Sequence, residues 1–215
     1  MRIFLAVLAS SFALSSAAVA QTAADNTPNA EQLEARAREM IDAAGAQDFF
    51  TPEAHPPAVA LRHSRSGMLC RFGYQSEARI ALVPSASLGI ARGDDVACSQ
   101  NTSLGAVTLY ATRRETSLDA ALAGSVAALR VMHPDARAVE LSELPTVDAE
   151  REIPESRTAA FLLSGGQLFT RISVYVTGGW EYKLRFTSPT PRGNIIADLV
   201  WNAMLADLMA SAEVQ

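Results

Sequence analysis

Lysine is almost absent from this chain: Lys183 stands alone against seventeen arginines, while alanine is abundant throughout. That bias is typical of a GC-rich bacterial genome. Basic charge as a whole is also short, with a formal net charge of −5. A domain that binds nucleic acid carries a net basic surface, so this balance argues against such a partner. There are only two cysteines, Cys70 and Cys98, and they are too far apart for the Cys-x-x-Cys arrangement that lowers one thiol's pKa for redox work. The three histidines, His55, His63 and His133, fall in a proline-rich stretch, on a strand and at a helix end. Metal ligands recur at short helical or turn spacing, which this set lacks, so no metal and no cofactor is implied. No Gly-x-Ser-x-Gly string occurs to form a nucleophile elbow. A Ser-x-x-Lys dyad is excluded too, because Trp180 stands three residues before Lys183. No catalytic residue is assigned. Asp94 and Asp95 follow Gly93 and read as turn formers.

The N-terminus carries a positive signal. Arg2 precedes an apolar stretch from Ile3 to Leu14, then small residues leading to Ala18-Val19-Ala20. These are the three parts of a secretory signal peptide, with cleavage expected after Ala20. The apolar run is shorter than the ~20 residues a bilayer crossing requires. The nearest cysteine after the cut is Cys70, so no lipid anchor is expected. Losing Arg2 takes the formal charge to −6. The expected compartment is the periplasm of a Gram-negative bacterium, with secretion as the other exported fate. In such an oxidising setting an isolated pair of cysteines reads as a disulfide, here Cys70 to Cys98. Closing a loop of that length stabilises a fold by roughly 3 to 4 kcal/mol on the chain-entropy model.

Three regions follow: the leader 1–20, a segment 21–57, and a single α+β domain over 58–215. The middle segment begins with a small, polar lead. Leu33, Ala37, Met40, Ile41 and Ala44 then recur at helical spacing, and Gly45 supplies a stop. Thr51 to Pro57 is rich in proline and predicts a semi-rigid linker. Strands are expected near 59–63, 68–72, 79–83, 96–99 and 106–112. A helix capped by Ser117 presents Leu118, Leu122, Val126 and Leu129 on one face and ends before Pro134. A short strand near 138–141 precedes a solvated loop, Glu140 to Glu155, with six acids against Arg151.

The last third predicts a three-stranded meander, 158–163, 168–176 and 180–187, followed by a covering helix from Asn194 to Met209. Gly165-Gly166 sets Leu163 opposite Leu168 and Phe161 opposite Thr170. For the second hairpin, a three-residue loop over Thr177-Gly178-Gly179 keeps apolar with apolar, pairing Val176 with Trp180 and Ile172 with Leu184. That register also sets Arg171 opposite Arg185, beside Lys183, Phe169 and Tyr175. Like charges across a strand pair are unfavourable, so this face predicts either an anionic ligand or partner, or an acid from elsewhere in the chain. The fold class is thus α+β: a mostly antiparallel sheet with flanking helices.

The closing stretch Gly178-Gly179-Trp180-Glu181-Tyr182-Lys183-Leu184-Arg185-Phe186, running through Thr187-Ser188-Pro189 into an amphipathic helix, resembles the PsbP-like and DcrB-like families of exported proteins. The chain also resembles uncharacterised small exported proteins of alphaproteobacteria. The first resemblance covers about the last sixty residues and implies a binding or assembly module without catalysis. It transfers no functional residue. The expected function is therefore non-enzymatic binding of a protein or envelope component. The competing expectation is a hydrolase or transferase with dispersed acids, walled by Asp94-Asp95 and the Glu140 to Glu155 loop.

Overall fold

The computed structural model describes residues 27–84, 89–147 and 154–212. The leader with its cut at Ala20, and the centre of the acidic loop at 148–153, lie outside the described residues. Within them the elements run α1 (Ala30–Ala43), β1 (Phe50–His55), β2 (Ala58–His63), β3 (Leu69–Phe72), β4 (Glu77–Leu82), β5 (Asp95–Thr102), β6 (Gly105–Arg113), α2 (Leu118–Met132), β7 (Arg137–Val139), β8 (Arg157–Leu163), β9 (Leu168–Thr177), β10 (Trp180–Ser188) and α3 (Asn194–Ala212). The strands form two antiparallel sheets, ordered β1-β2-β3 and β4-β5-β6-β10-β9-β8-β7. The α+β class, the closing meander and the helix after it all stand as the sequence predicts.

Asn29 starts α1 with a reciprocal cap: its side-chain oxygen accepts from the Gln32 N–H, and the Gln32 side chain accepts from the Asn29 N–H, both at 2.9 Å. Such a box satisfies two backbone donors that a helix start leaves open. Leu33, Ala37, Met40 and Ile41 then point into the core.

Thr51 to Pro57 is not a linker. Residues 50–55 are strand β1, paired along its length with β2 from Phe50 opposite His63 to His55 opposite Ala58. Pro52 is tolerated because β1 is an edge strand, whose outer N–H positions need no ladder partner. Helix α1 packs on β1 and β2, and its apolar stripe enters the same core as the main body, so no domain boundary falls at residue 57.

One face of the seven-stranded sheet is covered along β4, β5, β6 and β10 by the small sheet with α1, and along β9 and β10 by α3. Between them lies the main core, where Trp201, Phe186, Leu184, Met68 and Leu61 are fully buried. On the opposite face α2 packs on β8 and β9, closing a second core around Phe161, Leu163, Ile172 and Val174. Strand β9 is therefore buried on both sides. Cys70 on β3 and Cys98 on β5 form the expected disulfide, with Cα atoms 6.1 Å apart, and so join the two sheets covalently. No helix among the described residues is long and apolar enough to cross a membrane.

The β8–β9 register is the expected one, Leu163 opposite Leu168 and Phe161 opposite Thr170. The β9–β10 register is not. The loop holds two residues, Gly178 and Gly179, with φ of +57° and +76°. Positive φ at both central positions is the requirement of a type I′ hairpin turn, which glycine meets without strain. Thr177 accordingly pairs with Trp180, Val176 with Glu181, Ile172 with Arg185 and Phe186 with Arg171. Apolar matching across the strands does not choose the register here, because the buried Glu181 has its own cationic partner, Arg114, and both faces of β9 are covered.

Candidate functional site

The corrected register divides the predicted arginine face. Phe169, Arg171 and Tyr175 point to the α3 side, whereas Lys183 and Arg185 point to the other, so Arg171 and Arg185 never face each other. Phe169 is fully buried with Leu144 and Ala160, and Tyr175 stacks on Tyr182 at 6.2 Å between ring centroids. Arg171 is held from within. Its Nη1 donates to the carboxylate of Asp198 and, at 2.9 Å, to Asn194 Oδ1, while its Nε donates to Ser173 Oγ at 2.9 Å. Asp198 and Asn194 sit one turn apart on α3, so the same face of the helix reaches both. Of the two expectations for Arg171, a ligand or an acid from elsewhere in the chain, the structure bears out the acid, Asp198 on α3.

Lys183 and Arg185 stay together. They are two residues apart on β10, so both project from the face that α2 leaves open beyond β9. Their neighbours there come from β6, with Tyr110 opposite Lys183 and Thr108 opposite Arg185. The Lys183 ammonium lies 4.4 Å from the centroid of the Tyr110 ring, a cation–π contact. An Arg185 Nη2 lies 3.4 Å from His133 Nε2, at the C-terminal cap of α2. Burial pushes the Lys183 amine below the ordinary lysine value; Glu181 and Asp95 draw it back up, and Arg114 and Arg185 push it further down.

The acids on this face are already engaged. Glu181 is buried and accepts from Arg114, whose Nε is at 2.7 Å. Asp95 is buried and accepts from the Thr112 hydroxyl at 2.9 Å. Asp94 pairs with Arg65 at 2.7 Å, off this surface. Among the described residues no salt bridge reaches Lys183 or Arg185. The site is thus a half-buried strip of two cations, a phenol and the hydroxyls of Thr108 and Thr187, lying on a rigid central strand. Its sequence signal was the alternation Glu181, Lys183, Arg185 along β10; Tyr110 and His133 could be added only once β6 and α2 were in place.

His63 is fully buried in the β2–β3 turn, with Nε2 3.0 Å from the Gly93 carbonyl and Nδ1 2.7 Å from Ser66 Oγ. Since a carbonyl only accepts, Nε2 carries the proton and the Ser66 hydroxyl donates to Nδ1. Burial lowers the His63 pKa to about 4, with the Gly93 carbonyl raising it, Arg65 lowering it and Asp94 raising it. The unfolded chain, titrating near 6.5, binds the proton more readily than the folded one. Stability is therefore expected to be complete above about pH 6.5 and to fall as pH drops toward 4, by up to roughly 3 kcal/mol. Urea midpoints across this range check it: His63→Gln should flatten that slope, and an unchanged slope would assign the acid sensitivity elsewhere. Among the described residues no group of three His, Cys, Asp or Glu side chains is placed to hold a metal ion.

No family model matches the sequence, and no curated protein or solved structure is significantly similar to it.

Proposed function

We propose that this chain is a non-enzymatic periplasmic binding module that recognises an anionic protein or envelope component with the Lys183 and Arg185 strip of the seven-stranded sheet. The observation that carries the reading is a desolvated ammonium and a neighbouring guanidinium with no carboxylate paired to either among the described residues. A structural role for charges this deeply set would call for a counter-charge, since burying an unpaired cation is costly. An incoming anion supplies one, and the Tyr110 and Thr108 hydroxyls offer it further hydrogen bonds. The expected leader, the disulfide and the resemblance of the closing hairpin to PsbP-like and DcrB-like proteins support an exported, assembling role over a catalytic one.

The test is the double variant Lys183→Gln, Arg185→Gln. Its melting temperature should match or slightly exceed that of the parent, because no internal acid is stranded and like-charge repulsion is relieved. Capture of the partner from envelope extract should be lost in the variant, and in the parent should fall with added salt as exposed charge attraction is screened. Capture that survives both the double exchange and raised salt would remove this strip from the function.

A further inference from the structure

We infer that the anion held by Lys183 and Arg185 is an extended acidic peptide, laid across the strands of the outer sheet face as far as Arg79 on β4; this rests on the reading of those two cations as an anion site. Helix α2 packs on this face over β8 and β9. Further along it, the pairings set four residues in one straight row: Arg79 opposite Ser99, Ser99 opposite Thr108, and Thr108 opposite Arg185. Their chain neighbours Ile80, Cys98, Leu109 and Leu184 are buried in the main core, which turns the row outward. Arg79 is exposed and the other three are half-buried. Its Nε donates to Ser99 Oγ at 3.2 Å, along the row.

Charge selects the direction in which a polyanion lies. Along β10 the residues flanking the two cations on this face are Glu181 and Thr187, and along β4 those flanking Arg79 are Glu77 and Ala81. A polyanion running with either strand therefore meets a carboxylate or leaves the cations behind. Across the strands, the line from Arg79 to Arg185 passes only hydroxyls, and the next row, Ala81, Ala97, Tyr110 and Lys183, adds a third cation and no acid. Arg79, like Lys183 and Arg185, has no salt bridge among the described residues.

Spacing then identifies the polyanion. Arg79 and Arg185 stand three strand spacings apart, about 14 Å. A peptide extended at about 3.4 Å per residue turns side chains i, i+2 and i+4 to one side, with i and i+4 again about 14 Å apart. Acids at i and i+4 meet the two arginines, and the acid at i+2 falls between them over Ser99 and Thr108. Ser99 Oγ accepts from Arg79, which leaves its own proton free to donate to that carboxylate. The ligand class is thus a strand-like segment with an acid at every second position.

Fluorescence anisotropy with two labelled seven-residue peptides tests this: one alternates threonine with three glutamates, and its isomer holds the same glutamates consecutively. The parent should bind the alternating peptide at least about threefold tighter, because only that one spans from Arg185 to Arg79. Arg79→Gln, at an exposed position, should keep the melting temperature and lose the preference, whereas Arg79→Lys should retain most of it. The double variant Lys183→Gln, Arg185→Gln should bind neither peptide. Equal binding of the isomers by the parent, or a preference that survives in Arg79→Gln, overturns the inference while leaving the Lys183 and Arg185 strip as an anion site. Failure of the parent to bind either peptide saturably overturns it as well, and binding that persists in the double variant removes the strip with it. Polygalacturonate that displaces the label better than unlabelled alternating peptide does, at equal carboxylate concentration, would reassign the face to an anionic glycan and likewise overturn the inference.

Discussion

Asp198→Ala is expected to lower the stability of the fold by about 3 to 5 kcal/mol, read as a fall in the urea midpoint at constant slope. Arg171 is 6% exposed beneath α3. With the carboxylate gone, its charge would be left with neutral oxygens only, from Asn194 and Ser173. A buried guanidinium costs far more when its charge is uncompensated than when a carboxylate faces it. Because Asp198 is also the point at which α3 grips β9, its removal loosens the helix where it covers the sheet. The double variant Arg171→Met, Asp198→Leu should recover most of the loss, since replacing both members of a buried ion pair by apolar groups of similar volume is often close to neutral. A single-variant loss below about 1 kcal/mol would mean that water reaches the guanidinium, and the pair would then be peripheral to α3 docking.

The same pair explains what the sequence could and could not disclose. Periodicity located twelve of the thirteen helices and strands among the described residues, because apolar stripes at helical and alternating spacing record which face is buried. Strand β1 escaped because Pro52, Pro56 and Pro57 read as breakers. Proline excludes a central strand but not an edge strand, and whether a strand lies at an edge is a property of the whole sheet. The β9–β10 register escaped for a different reason. Alternation identifies a register only when one face is buried and the other wet, whereas β9 sets Ile172 and Val174 under α2 on one side and, on the other, Arg171 under α3 and Phe169 against Leu144. Local turn chemistry, two consecutive glycines, was the better guide.

The candidate site was half legible. Lys183 and Arg185 share a face in any register, since they are two residues apart on one strand. Arg171 was assigned to that face only through the register, and it moved to the other side with it. Tyr110 and Thr108 lie more than seventy residues from Lys183 and come alongside through the β6–β10 pairing, a long-range contact that spacing does not encode.

Replacing Cys98 by alanine, together with Cys70 to avoid a stray thiol, is expected to cost about 2 to 5 kcal/mol, and to act on more than the unfolded chain. The bond closes a loop with a sequence separation of 28, and chain entropy assigns such a closure roughly 3 to 4 kcal/mol through the unfolded state. It is also a covalent tie between the two sheets, whose strands are not hydrogen-bonded to each other. Apart from it, side-chain packing in the main core, the short loop at 73–76 that joins β3 to β4, and polar contacts such as the Tyr182 hydroxyl to the Ser66 carbonyl at 2.6 Å hold the small sheet in place. Losing the bond should therefore loosen the small sheet first. Hydrogen exchange in the paired cysteine variant should show β1 to β3 opening at lower free energy than β9 and β10, whereas in the parent the sheets should open together. Uniform loss of protection across both sheets would assign the whole effect to the unfolded chain. Capture through Lys183 and Arg185, on the far side of the sheet, should persist in the same variant.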